Sequence, residues 1–133
     1  MGRFFSIIEL SHSNYATAKG WNNEPPQQVE QRLKALITQL LDPIRELWQN
    51  PIYVNSGYRS PKLNKALGGV ATSQHILGEA ADITAGSISL NEELFEVILE
   101  SGLQFDQLIC EKGYTWIHIS IKEASNRNQV LYL

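Results

Sequence analysis

The chain has 133 residues and a net charge of −3, and no basic stripe that would mark a nucleic-acid footprint. Its 43% hydrophobic and 19% charged residues are ordinary for a globular chain, expected to form one domain over residues 1–133. A single cysteine, Cys110, excludes an internal disulfide and a cysteine-rich zinc cluster, and no apolar run approaches the ~20 residues of a membrane span.

In chain order, the opening MGRFFSIIEL carries one basic residue and a short apolar patch broken by Glu9, too weak for a secretory signal. Met1-Gly2 with Ser6 matches an N-myristoylation pattern only loosely. The first two dozen residues read as loop, stopped by Asn22, Asn23, Pro25 and Pro26. Val29, Leu33, Leu36, Ile37, Leu40, Leu41, Ile44, Leu47 and Trp48 then recur at three- and four-residue spacing, the apolar face of a long helix. Pro26 suits its first turn, and Pro43 should kink or divide it.

Ile52 to Ser56 reads as a strand, with a turn from Gly57 and a short helix from about Pro61. Gly68 to His75 is expected as a loop and Ala80 to Thr84 as a short strand. Ser89 with Glu92 resembles a capping box for a helix that runs through Leu99 and ends at Gly102. Gln107 to Glu111, a tight connection at Lys112 to Thr115, Trp116 to Ile121 and Gln129 to Tyr132 complete an α+β pattern. That pattern predicts an antiparallel sheet with the helices packed on one side.

The chemistry concentrates in Ser73-Gln-His75-Ile-Leu-Gly78-Glu-Ala80-Ala-Asp82. A histidine on a loop, a glycine at a bend and an aspartate on a small-residue strand can meet at one point, and zinc accepts both donor types at about 2.0–2.2 Å. Ala80 shares a strand face with Asp82 and leaves room beside its carboxylate. In Trp116-Ile-His118-Ile-Ser120-Ile, period-two alternation buries the isoleucines and places Trp116, His118 and Ser120 together on a cleft floor. By the same alternation Gln107, Ile109 and Glu111 share the His118 face, while Leu108 and Cys110 face the core. A four-residue hairpin loop pairs Glu111 with Trp116, diagonal to His118 at roughly 7–8 Å between Cα atoms. His12 has no supporting pattern and reads as a surface or packing histidine.

These residues resemble the zinc D-alanyl-D-alanine carboxypeptidase family of peptidoglycan peptidases. The pattern S-x-H-x-x-G-x-A-x-D is met at every fixed position and is followed downstream by W-x-H. The resemblance extends to Ser56-Gly-Tyr-Arg59-Ser-Pro and to Phe105-Asp-Gln-Leu-Ile, and it is closest to the short members encoded by phages and prophages. It implies Zn2+ bound by His75, Asp82 and His118, and substrate contacts from Arg59 and Ser73. It also implies hydrolysis of peptide bonds in cell-wall stem peptides, by a water that zinc brings to a pKa of about 7 and a carboxylate base deprotonates.

Several active branches carry an acid three residues before the second histidine. Thr115 stands there, which leaves Glu111 as the best base and Glu79 as a distant second. Trp116 occupies the position of a further histidine in other branches, and as a neighbour of His118 it is a candidate for substrate contact. Peptidoglycan peptides are the expected partner and a monomer the expected state. Without an export signal the protein would be made in the cytoplasm and reach the wall by host lysis or as part of a phage particle. The rival reading is a non-catalytic, zinc-stabilised wall-binding or phage structural module. A Ser73-His75-Asp82 triad lacks the strained nucleophile turn, and Cys110 faces away from His118, so neither nucleophile is favoured.

Overall fold

Serine hydroxyls open most of the helices in a computed structural model of the chain, which describes residues 3–133. Met1 and Gly2, and with them the N-myristoylation match, lie outside the described residues. The N-terminal stretch expected as loop contains α1 (Ile7–Ser11) and α2 (Asn14–Lys19), whose first turns are capped by Ser6 and Ser13 through the N–H groups of Glu9 and Ala16. Their brevity hides them from periodicity, whereas the caps were readable. The apolar stripe forms α3 (Gln27–Leu36) and α4 (Asp42–Trp48), with Pro26 just ahead of α3 as its cap. Between them Ile37–Leu41 is a turn of π-helix in which the Asp42 N–H reaches the Ile37 carbonyl. Pro43 cannot donate to the ladder and crowds the carbonyl four residues back, so the wider turn absorbs it and the stripe stays buried from Val29 to Ile44, whereas Leu47, expected on the same face, is exposed.

β1 (Tyr53–Ser56), α5 (Pro61–Ala66), α6 (Gln74–Leu77), β2 (Ala80–Thr84) and α7 (Ile88–Glu100) follow. The cap of α7 is Ser87, not Ser89: its hydroxyl accepts the Leu90 N–H at 3.1 Å, and Ser89 lies inside the helix. β3 (Gln107–Glu111), β4 (Trp116–Ser120) and β5 (Gln129–Tyr132) complete a five-stranded sheet in the order β1-β2-β4-β3-β5. The first four strands are antiparallel, but β5 lies parallel to β3, so the sheet is mixed rather than wholly antiparallel. The chain reaches β5 by crossing over the start of β3 instead of turning back in a hairpin.

The core lies on one sheet face, where Ala81, Ile83, Leu108, Cys110, Ile117 and Ile119 pack against the α3–α4 stripe and against Leu94, Phe95 and Ile98 of α7. That burial of alternate residues turns Asp82, His118 and Glu111 to the opposite face.

Candidate metal centre

His75 is on α6, not on a loop. Ser73 accepts the His75 N–H at 3.2 Å and so starts one helical turn, which places the imidazole inward with 4% of the residue exposed. Gly78 ends the turn at φ +77, and a Cβ there would meet Val29 Cγ1 and the Val29 carbonyl at 2.8 Å. Only glycine combines that backbone with that contact. The Nδ1 of His75 lies 2.7 Å from the Gly57 carbonyl, to which it donates, leaving the Nε2 lone pair for a ligand. Gly57 is itself pressed against α1: a Cβ on it would fall 2.1 Å from the Leu10 carbonyl oxygen.

Asp82 and His118 are directly paired across β2 and β4. The Asp82 Oδ1 lies 2.9 Å from His118 Nδ1, and its Oδ2 lies 3.4 Å from His75 Nε2. The two rings meet edge to face with centroids 5.2 Å apart. Burial pushes the Asp82 carboxyl up, but hydrogen bonds and charge from His118 and His75 outweigh it and hold the group well below the usual carboxylate range. One ligand atom from each of the three residues lies within 4.8 Å of the others. Bonds of about 2.0–2.1 Å in a tetrahedron put ligand atoms about 3.4 Å apart. Two imidazoles and one carboxylate at this spacing fit zinc, with a coordination position to spare.

Arg59 borders the cluster. Its Nη2 is 3.5 Å from Asp82 Oδ2, its Nε donates to Ser56 Oγ at 3.0 Å and its Nη1 to Asn64 Oδ1 at 3.3 Å. Arg59, Ser56 and Leu63 also line a cavity of about 370 Å³ with His12, Asn55 and Tyr15, so the exposed His12 ends up near the site rather than in it.

Glu111 pairs with Trp116, two positions beyond the Ile109–His118 pair and so on the same face, as the hairpin length predicts. It stands on the His118 face but outside the group of three gathered ligands. Trp116 is half-buried, with Lys112 Nζ 5.5 Å from its ring centroid. Thr115 donates its hydroxyl to the Lys112 carbonyl at 2.6 Å and closes the turn. Glu79 accepts from Gln74 and lines a separate cavity with Arg32 and Lys122. Ser120 is fully buried, its hydroxyl accepting the Gln107 N–H at 3.1 Å, so it is not part of an open cleft floor.

Sequence reasoning missed the side chains that brace the site. Asn64 and Asn91 are buried asparagines inside helices, where the residue type disfavours the backbone, and that mismatch was the available signal.

A mixed sheet that brings two imidazoles and a carboxylate together beside a guanidinium defines an α+β protein with a candidate His-Asp-His metal site. Residues 3–120 match the Peptidase M15 family, and the chain belongs to that family. A zinc D-Ala-D-Ala carboxypeptidase from Streptomyces albus G is 35% identical over 85 residues, covering 62% of this chain and 32% of that protein. The chain thus spans about a third of the length of the curated relative it matches.

Proposed function

We propose that this chain is a zinc metallopeptidase that hydrolyses a peptide bond in peptidoglycan stem peptides, as a D-Ala-D-Ala carboxypeptidase or an endolysin-like endopeptidase. The observation that carries the reading is the convergence of His75, Asp82 and His118 within 4.8 Å, with Arg59 3.5 Å from the carboxylate. The name of the Streptomyces relative supports the substrate class.

His75, Asp82 and His118 would hold the ion, and when bound it supplies a Lewis acid for the scissile carbonyl and acidifies water to a pKa of about 7. His75 is kept in the competent tautomer by its Nδ1–H bond to the Gly57 carbonyl. Arg59, with N–H groups beyond those given to Ser56 and Asn64, pairs with a peptide carboxylate of the substrate. Glu111 takes the proton of the attacking water and passes it to the leaving amine, and Trp116 gives the peptide an apolar wall. Ser73 contributes through His75, whose N–H it accepts.

Two observations favour a non-catalytic zinc-stabilised module: Thr115 serves the hairpin turn, and Glu111 stands outside the ligand group. Incubation of zinc-loaded protein with purified muropeptides separates the readings. Released D-alanine marks the carboxypeptidase and opened cross-links the endopeptidase, and His75→Ala abolishes either. One equivalent of zinc with no cleavage of any wall peptide would overturn the enzymatic reading.

A further inference from the structure

We infer that Asn64 is a positioning residue that fixes the Arg59 guanidinium beside the metal-ligand cluster, and that Gly69 keeps open the space the Asn64 amide occupies. The inference deepens the functional reading above and rests on Arg59 holding a substrate carboxylate.

Each nitrogen of the guanidinium has its own anchor: Nε on Ser56 Oγ at 3.0 Å, Nη1 on Asn64 Oδ1 at 3.3 Å and Nη2 beside Asp82 Oδ2 at 3.5 Å. Asp82 belongs to the ion and Ser56 offers a rotatable hydroxyl, so the remaining fixed anchor is the amide of Asn64. That amide has no rotational choice. Its Nδ2 donates to the Val70 carbonyl at 2.8 Å, which forces Oδ1 toward Arg59. Asn64 is 2% exposed, and its main chain is tied at both ends, N–H to the Ser60 carbonyl at 2.9 Å and carbonyl to the Gly69 N–H at 2.9 Å.

The loop after α5 therefore folds back over Asn64 and meets it at Gly69. A Cβ on Gly69 would lie 2.2 Å from Asn64 Oδ1 and 2.8 Å from its Cγ. The amide is boxed in, so an added methyl must displace either Oδ1 or the loop that carries the Val70 carbonyl, and either movement disturbs the aim of Oδ1 at the guanidinium. Two chemically unrelated substitutions, Asn64→Leu and Gly69→Ala, should then have one common effect on Arg59.

The alternative is that Asn64 merely staples the loop to α5. Asn64→Asp separates the two roles, because it keeps an oxygen for Arg59 and removes the donor to Val70. The first readout is guanidinium NMR of zinc-loaded full-length protein. Arg59 shows restricted rotation in the wild type and in Asn64→Asp, and averaged signals in Asn64→Leu and Gly69→Ala, all with one equivalent of zinc. The second is kinetics on purified muropeptides. A group that binds carboxylate in both ground and transition states acts on KM, so Asn64→Leu and Gly69→Ala raise KM about tenfold with kcat within threefold. In an Arg59→Ala background, Asn64→Leu adds less than twofold.

Restricted Arg59 rotation in Asn64→Leu, averaged rotation in the wild type or in Asn64→Asp, or a full additional loss on top of Arg59→Ala would overturn the inference. Should Asn64→Leu fail to fold, Gly69→Ala carries both readouts. If the wild type cleaves no muropeptide while the guanidinium behaves as described, the positioning stands and the functional reading alone falls.

Discussion

At the scale of single residues, the candidate metal centre depends on atoms outside the three candidate ligands. His75 is aimed by the Gly57 carbonyl, and Gly57 can lie there only because no side chain separates it from Leu10. Gly57→Ala should destabilise the fold by about 2 kcal/mol or more, since the Cβ would meet main chain that cannot rotate away. Zinc stoichiometry should fall with it; thermal unfolding and metal analysis of the same preparation check both. Glu111 makes the opposite prediction. It is outside the ligand group, so Glu111→Gln keeps one equivalent of zinc while kcat on muropeptides drops by about 10²–10⁴. Full activity in that variant would move the base elsewhere. The convergence of the three candidate ligands was legible in the sequence because two of them are flanked by strand alternation and the third by a glycine bend. The Gly57 contact was not, because a close approach to Leu10, 47 positions earlier, leaves no mark on local pattern.

At the scale of elements, register is what brings Asp82 and His118 together, and it follows from burying Ala81, Ile83, Ile117 and Ile119 on one face. A slip of one residue would turn the whole site into the core. The β3–β4 pairing was readable from hairpin length for the same reason. The short helices α1, α2 and α6 were not, since four to six residues are too few for a periodic signal. Asn91 on α7 is the tie between these elements: its Oδ1 accepts the Ala85 N–H at 2.6 Å, and its Nδ2 donates to the Tyr114 carbonyl at 2.9 Å. It links the end of β2 to the hairpin that carries Glu111 and Trp116. Asn91→Leu would leave buried main-chain groups unpaired and should cost about 1–3 kcal/mol in denaturant unfolding, where an Asn on an exposed helix face would cost almost nothing.

At the scale of the whole molecule, the parallel strand β5 is the feature that alternation could not disclose, and a buried carboxylate explains how it is held. Residues 121–128 cross the start of β3, and Asp106 lies beneath the crossing with 0% of its surface exposed. Arg127 grips it with both arms, Nε to Oδ1 at 3.0 Å and Nη2 to Oδ2 at 2.7 Å, and donates its own N–H to Oδ1 at 3.1 Å. Lys122 Nζ adds charge at 3.8 Å. The Arg127 bonds are the main reason that the Asp106 pKa falls from 3.8 to about 2, against the opposing effect of burial. A carboxyl that is more acidic folded than unfolded stabilises the fold when ionised. Its contribution is complete above the unfolded value near 4 and disappears as pH falls through about 2. At about 1.4 kcal/mol per pH unit the contribution is on the order of 2 kcal/mol. Asp82 is also held acidic, so the wild-type acid slope reports both groups, and the difference between wild type and Asp106→Asn isolates this one. That difference should be largest at neutral pH and should narrow steadily between about pH 4 and pH 2 in thermal unfolding at fixed ionic strength. A gap that stays constant across this window would mean that the crossing is held by shape alone, with Asp106 titrating as it does in the unfolded chain.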